Sequence, residues 1–180
     1  MKKKMIVETV SLLAVSALLL FGVPRFLMER VIVDGPSMEN TLQDGDNILV
    51  EKVSRYSGNL DRFDIVVFYP NEAAKQKNGR YYVKRIIGLP GETVRIEGNV
   101  IYINEEPLEE NFGSTQMGAP GIAKDGVVLG EDEFFVMGDN RAISKDSRSE
   151  SVGVVPLSRM GGKMIFRIFP LSKFGTVNEK

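Results

Sequence analysis

The run Arg80-Tyr81-Tyr82-Val83-Lys84-Arg85-Ile86-Ile87 is rich in aromatic and β-branched residues, and Gly88-Leu89-Pro90-Gly91 ends it. This composition, closed by glycine and proline, predicts a β-strand. Because side chains alternate across a strand, Lys84 and Arg85 are expected on opposite faces. Neither face is wholly polar, so one basic side chain must lie on an apolar surface.

Further short runs of apolar and β-branched residues lie on both sides of this strand, at residues 31–33, 47–53, 64–69, 93–97, 100–104, 133–137 and 163–169. Gly98-Asn99, between two of these runs, is typical of a tight hairpin turn. Beyond residues 1–26, no segment sustains a helical period. The pattern predicts a mostly β fold, a coiled antiparallel β-sheet with barrel-like character.

The stretch from about residue 105 to 130 is rich in glycine and glutamate and has no strand pattern. It predicts a loop-like region within a small insert at about 93–132, between two halves of the β core. A chain of 180 residues fits one domain with such an insert. We therefore predict two parts, an N-terminal segment of residues 1–26 and a β-rich domain of residues 27–180.

The N-terminal segment begins with Lys2, Lys3 and Lys4 and continues into an uncharged run at residues 9–23. Its apolar length is about 19 residues, within the roughly 17–25 that a bilayer-spanning helix needs. This predicts one transmembrane helix, with the lysines in the cytoplasm and the β-rich domain on the extracytoplasmic face. Two alternatives are a cleaved secretory signal, which lacks its small-residue exit here, and a buried helix of a soluble protein.

Composition excludes several kinds of site. The chain has no histidine and no cysteine, which rules out a Ser-His-Asp triad, a thiol nucleophile and soft zinc, haem or iron–sulfur sites. No acidic loop has EF-hand spacing, and the net charge of −1 provides no basic field for nucleic acid. We therefore expect no metal, no cofactor and no nucleic-acid partner.

Ser37 and Lys84 are the candidate reactive pair. Ser37 lies in the turn Asp34-Gly35-Pro36-Ser37-Met38, where side chains and N–H groups reach the surface. Lys84, on an apolar strand, would be desolvated, which favours its neutral amine and lowers its pKa. Alone, each feature has an ordinary explanation, because Gly-Pro-Ser is a common loop and a strand lysine can extend its head group to water.

A third cluster contains Gly138-Asp139-Asn140-Arg141 and Ser144-Lys145-Asp146-Ser147-Arg148, after the apolar run 134–137. Its short polar side chains and arginines can join loops through hydrogen bonds and Arg–carboxylate pairs. It could also orient a catalytic lysine through a hydroxyl group. The alternative is an ordinary polar turn.

These blocks occur in a characteristic order: Ser37-Met38, Gly45-Asp46 with Ile48-Leu49-Val50 and Lys52, Val83-Lys84-Arg85-Ile86-Ile87-Gly88-Leu89-Pro90-Gly91-Glu92, and then the third cluster. Together they closely resemble type I signal peptidases, in the compact Gram-positive form with a single anchor. The resemblance extends from the N-terminal segment through Gly175.

The resemblance implies a role for each matching residue. Ser37 would be the nucleophile and Lys84 the general base, with Ser144 hydrogen-bonded to the lysine and orienting it. Gly35 stands where some members have a serine whose hydroxyl is the second oxyanion donor. The remaining matches are two structural ion pairs, which are Asp139 with Arg85 and Asp146 with Arg148.

The resemblance also implies a membrane-bound serine endopeptidase that cuts signal peptides from exported preproteins after small residues, in the Ala-x-Ala pattern. Its partners would be preprotein signal peptides and the lipid bilayer, and an extended substrate would bind by strand addition. The positions that match the lining of the substrate pockets are Val31, Val33, Met38, Leu42, Tyr82 and Val83. Plain core packing is the alternative for these positions. Ala142-Ile143 departs from the polar residues of several members.

Three other hypotheses fit part of the pattern. One is a Ser–Lys peptidase with a narrower substrate, such as a maturation protease. Another is the self-cleaving domain of SOS repressors, which uses a similar pair but is soluble and joined to a DNA-binding domain. The third is a non-catalytic β-rich module that binds signal peptides without cutting them.

Overall fold

The computed structural model describes residues 2–76, 79–113 and 116–177. The helices are α1 Lys2–Ala17, a π-helical turn Leu18–Gly22, α2 Val23–Leu27, α3 Ser54–Ser57, α4 Glu72–Gln76 and the 3₁₀ turns Gly121–Lys124, Leu157–Arg159 and Leu171–Lys173. The strands are β1 Met28–Ile32, β2 Asn47–Glu51, β3 Ile65–Phe68, β4 Tyr82–Gly88, β5 Thr93–Glu97, β6 Val100–Ile103, β7 Glu106–Pro107, β8 Val127–Val128, β9 Glu133–Met137, β10 Val155–Pro156 and β11 Met160–Phe169.

Two antiparallel sheets make up the β-rich part. The larger sheet has the strand order β1-β2-β11-β3-β4-β9-β10, and the smaller has the order β7-β6-β5-β8. The mostly β, curled antiparallel fold predicted from the sequence is confirmed. The Gly98-Asn99 hairpin is also present, because β5 and β6 pair directly with Glu97 opposite Val100.

The larger sheet buries both of its faces around β3. Alternate side chains of this strand enter two different core clusters, Ile65 and Val67 on one side and Val66 and Phe68 on the other. Such double burial explains why the strand reads as a continuous apolar run rather than an alternating one. The smaller sheet packs its apolar face on β4 and β9 through a third cluster.

The curl of the larger sheet depends on β11. Its pairing with β2 and β3 shifts register at several points, which lets one long strand bend between the two halves of the sheet. At Gly162, with φ of +156°, a Cβ atom would lie 2.0 Å from the carbonyl oxygen of Glu51. Only glycine permits this close approach of two backbones.

The N-terminal segment differs from its prediction. Helix α1 ends at Ala17, and a π-helical turn separates it from α2. Across residues 2–76, 79–113 and 116–177, no helix is both long enough and apolar enough to cross a membrane. The predicted transmembrane helix is therefore not found among the described residues, because α1 ends at Ala17 and the π-helical turn interrupts the α-helix.

Candidate active site

Ser37 lies on a turn that follows β1. Gly35 adopts φ of +91°, which favours glycine, and its N–H donates to Asp44 Oδ1 at 2.8 Å. Beyond the serine, the N–H of Leu42 bonds to the carbonyl of Met38 at 2.8 Å. The turn is thus fixed on both sides of Ser37.

Lys84 reaches this serine from β4. Its Nζ donates to Ser37 Oγ at 2.6 Å and to the Val83 carbonyl at 2.9 Å, and the residue is only 3% exposed. Burial lowers the pKa of Lys84 from 10.5 to about 8, although the negative charges of Asp146 and Asp139 partly oppose this. The structure therefore brings a hydroxyl and a readily deprotonated amine into direct contact.

Arg85, the next residue of β4, has a different environment. It is fully buried and forms a two-point ion pair with Asp139, Nε to Oδ1 at 2.9 Å and Nη2 to Oδ2 at 2.7 Å. Its Nη1 donates to the carbonyl of Phe63 at 2.8 Å, and Thr41 Oγ1 donates to the same Asp139 carboxylate. The turn that holds Ser37 is thus tied to β4 through Asp139.

A second buried pair supports the loop after β9. Asp146 accepts two bonds from the Arg148 guanidinium, each at 2.8 Å, and others from the N–H groups of Arg148 at 3.2 Å and Gly138 at 3.1 Å. Both residues of this pair are buried. Asn140 then joins the loop to the turn of Ser37, because its N–H donates to the Ser37 carbonyl at 3.1 Å.

Ser144 differs from the expectation. Its Oγ is buried and has no hydrogen-bond partner among the described residues, so it does not bond to Lys84 here. Instead the hydroxyl packs against Gly138, where a Cβ atom would lie 2.2 Å from it. Ser37 Oγ and the Val83 carbonyl accept the bonds that Lys84 Nζ makes.

A groove of about 910 Å³ runs from residues 29–37 on one wall to residues 79–84 on the other and contains Ser37 and Lys84. Four of the six expected pocket residues line it, namely Val31, Val33, Tyr82 and Val83. Met38 and Leu42 do not; both are fully buried in the core behind the groove. For these two positions the structure therefore supports core packing.

A family model described as "Signal peptidase, peptidase S26" matches residues 6–169. A curated signal peptidase I of Bacillus licheniformis is 37% identical over 96% of this chain and 93% of its own length. The chain belongs to the signal peptidase I family of serine peptidases. The resemblance seen in the sequence is thus confirmed.

Other signal peptidases are similar over much of their length. The signal peptidase I of Leptolyngbya laminosa is 36% identical over 94% of this chain and 83% of its own. A crystal structure of a signal peptidase I from Enterococcus faecalis aligns with 58% of this chain and 96% of its own, at 32% identity and a TM-score of 0.47.

Sequence reasoning missed several residues of this signal peptidase site. Thr41 bonds to Asp139, Glu110 pairs with Arg141, and Phe112 covers the Arg85 guanidinium. Thr41 and the two insert residues lie in loops, whose partners no periodic pattern reveals. Among the described residues, no group of acidic side chains is arranged to hold a metal ion.

Proposed function

We propose that this peptidase cuts signal peptides from exported preproteins with Ser37 as nucleophile and Lys84 as general base. The observation that carries the proposal is the 2.6 Å contact between Ser37 Oγ and a buried Lys84 Nζ whose pKa is lowered to about 8. At pH 7.5 such a lysine is roughly one quarter neutral, whereas a free lysine is about 0.1% neutral. No described carboxylate forms a salt bridge with Lys84, so its proton is not held by a counter-ion.

The proposed reaction uses one proton carrier. Neutral Lys84 takes the Ser37 hydroxyl proton while Oγ forms a bond to the scissile carbonyl carbon. The resulting Lys84 ammonium gives this proton to the departing amine as the C–N bond breaks, leaving an acyl-enzyme. Lys84 then takes a proton from water, the hydroxide oxygen attacks the ester carbonyl, and the proton returns to Ser37 Oγ as the acid product leaves.

The oxyanion that forms during attack needs hydrogen-bond donors. The Ser37 N–H is the first, by its position on the nucleophile. Gly35 has no side chain, and its N–H donates to Asp44. The second donor is therefore a different backbone N–H or a water molecule.

The groove supports cleavage after small residues of the Ala-x-Ala type. Its walls next to Ser37 include the apolar side chains of Val31, Val33 and Val83, with Tyr82 nearby. Strand β1 forms one edge of the larger sheet, so an extended preprotein segment can add to it by backbone hydrogen bonds. Specificity would then come from the alternate side chains that enter the apolar wall.

The N-terminal segment would attach the domain to a bilayer. Many of its apolar side chains are exposed, including Val7, Leu12, Leu13, Leu18 and Phe26. Lys3 and Lys4, at its start, would remain in the cytoplasm and leave the β-rich domain on the extracytoplasmic face. Attachment there would raise the effective concentration of peptidase at a cut site emerging from the membrane. Membrane fractionation followed by protease protection tests both the attachment and the orientation.

The test of the proposed function is cleavage of a preprotein whose signal ends in Ala-x-Ala. Detergent-solubilised full-length protein is compared with Ser37→Ala and Lys84→Ala. We expect one cut after the small residue for the wild type and none for either variant. Full cleavage by Lys84→Ala would refute the base assignment. Binding without cleavage by the wild type would instead favour a binding module or a narrower substrate.

A further inference from the structure

Three buried arginines surround the site, and one loop of the insert contacts all three. We call this loop, residues 110–113 and 116–118, the insert loop. Arg85 and Arg148 pair with carboxylates of the site, and Arg141 lies between them in the sequence. All three side chains are at most 6% exposed, so each guanidinium needs hydrogen-bond and ionic partners within the protein.

The strongest of these contacts joins Glu110 to Arg141. Their side chains form a two-point pair, in which Nη2 donates to Oε2 at 2.6 Å and Nη1 donates to Oε1. Arg141 is 1% exposed and Glu110 is 14% exposed. A bidentate, largely buried pair of this kind fixes the guanidinium in direction as well as in position.

Arg141 transmits this contact to the loop of residues 138–148, which we call the support loop. Its Nε donates to the Gly138 carbonyl at 3.0 Å, and its own carbonyl accepts from the Gly118 N–H at 3.2 Å. The neighbouring Asn140 donates its N–H to the Ser37 carbonyl and its Nδ2 to the Pro36 carbonyl at 3.2 Å. A short chain of contacts therefore runs from Glu110 to the backbone of the nucleophile.

Two apolar side chains of the insert loop contact the other two arginines. The Phe112 ring lies 3.8 Å from the centre of the Arg85 guanidinium, and Met117 Sδ lies 3.7 Å from Arg148 Nη1. The ring face is electron-rich and attracts a cation that stacks on it. Each of the three arginines thus has at least one contact from the insert loop.

We propose that Glu110 is a positioning residue, which holds the support loop through Arg141 and so fixes Ser37 against Lys84. This inference rests on the proposed function, since it assigns a role in that reaction. Glu110 touches neither Ser37 nor Lys84, and it acts through the chain of contacts described above. A displacement of about 1 Å at a reacting atom can lower turnover roughly 100-fold, so the contact need not be close to the chemistry to matter.

Two measurements on full-length protein in detergent test the proposal. The first is steady-state cleavage of the same preprotein, well below the unfolding temperature of each variant, which separates kcat from KM. The second is hydrogen exchange by mass spectrometry, which reports on the support loop without requiring turnover. The variant is Glu110→Gln, and its matched control is Glu109→Gln, a change at the adjacent exposed carboxylate.

We expect Glu110→Gln to lower kcat roughly 10- to 100-fold while KM changes less than about threefold. The amides of Asn140, Ser144 and Ser147 should exchange at least several-fold faster, and those of β3 should not change. Glu109→Gln should match the wild type in both measurements. If Glu110→Gln does not fold, Glu110→Asp, which keeps the charge but shortens the side chain that reaches Arg141, serves in its place, with a smaller fall in kcat expected.

A fall in unfolding temperature with unchanged kcat and unchanged exchange of the support loop would overturn the proposal and leave Glu110 a purely structural residue. Equal effects of Glu109→Gln would also overturn it, by showing that only net charge matters. Failure of the proposed function is a separate outcome, in which the wild type does not cleave the preprotein. The exchange data then still decide whether Glu110 holds the support loop.

Discussion

Lys84 and Arg85 are adjacent on β4, and both are buried, yet their surroundings differ in one respect. Arg85 contacts the carboxylate of Asp139 at two points, whereas Lys84 Nζ donates its hydrogen bonds to a hydroxyl and a carbonyl and lies 5.5 Å from the centre of the Tyr82 ring. A carboxylate partner stabilises the charged form of a base, and burial without one destabilises it. One strand thus carries a paired cation on one face and, on the other, a lysine whose pKa is lowered.

Asp139 and Asp146 affect Lys84 without bonding to it. Asp139 and Asp146 are close enough to raise the pKa of Lys84, but burial outweighs them and leaves it at about 8. Their direct bonds go to Arg85 and Arg148 instead. Neither carboxylate therefore forms a direct ion pair with the lysine.

The largest expected effect comes from making the Lys84 position resemble its neighbour. Lys84→Arg keeps a positive charge but removes a base that can lose its proton, because arginine stays protonated in proteins. General-base catalysis contributes roughly 10²–10⁴-fold, and we expect kcat to fall by that much. Lys163→Arg, at a lysine that pairs with Asp64 away from the groove, is the matched control. Preprotein cleavage assays measure both, and an active Lys84→Arg would contradict the base assignment.

The next effect comes from removing the partner of Arg85. Asp139→Asn leaves a fully buried guanidinium without its carboxylate, which costs about 3–5 kcal/mol of unfolding free energy when one partner of a buried pair is lost. Chemical denaturation monitored by circular dichroism measures the change. Glu97→Gln, which removes an exposed carboxylate beside Arg95, should leave stability nearly unchanged. A small loss for Asp139→Asn would show that the pair is not needed for the fold.

The pH dependence of preprotein cleavage tests the protonation of Lys84 directly. Only its neutral form accepts the Ser37 proton, so kcat/KM should rise about tenfold per pH unit below 8 and level off above it. Of the two carboxylates that raise this pKa, Asp146 has the larger effect; Asp146→Asn removes it, so the rise in kcat/KM should move to lower pH. Cleavage rates across pH 6–9.5 measure both profiles, with ionic strength held constant. A profile independent of pH in this range would exclude Lys84 as the titrating base.

The smallest effect is expected at an exposed pair. Asp34 and Arg80 join the two walls of the groove at 2.6 Å, but their side chains are 73% and 88% exposed. Exposed pairs contribute little to stability, so we expect Asp34→Asn to change kcat/KM by less than about threefold. Measurements at low and high salt provide the check. A larger or salt-independent effect would mean that this pair shapes the groove.

The sequence was sufficient to predict the β class, most strands and the ordered blocks around Ser37, Lys84 and Asp139. It succeeded there because burial on alternating faces and tight turns leave local patterns. It did not reveal the two-residue strands β7, β8 and β10, which are too short to show any period. Nor could it place Glu110 or Phe112, because their partners lie far away in the sequence and within irregular loops.

Two expectations about the site differ from the structure for local reasons. Ser144 packs its hydroxyl against Gly138 rather than against Lys84, and a local sequence pattern does not indicate which of these two neighbours a loop side chain contacts. Met38 and Leu42 are core residues behind the groove, although their apolar character suited either location. A sequence shows that such side chains are buried, but it does not show which surface they face.

The position of β11 has a consequence for the order of folding. This strand is the last of the larger sheet in the chain, yet it lies between β2 and β3 at the middle of that sheet. Ser37 belongs to the β1–β2 side and Lys84 to the β3–β4 side, so the two halves join only when residues 160–169 insert between them. Pairing of such distant segments is slow, since a long loop must close first. In an incompletely folded chain Ser37 and Lys84 therefore stay apart, and we expect no proteolytic activity until the sheet is complete.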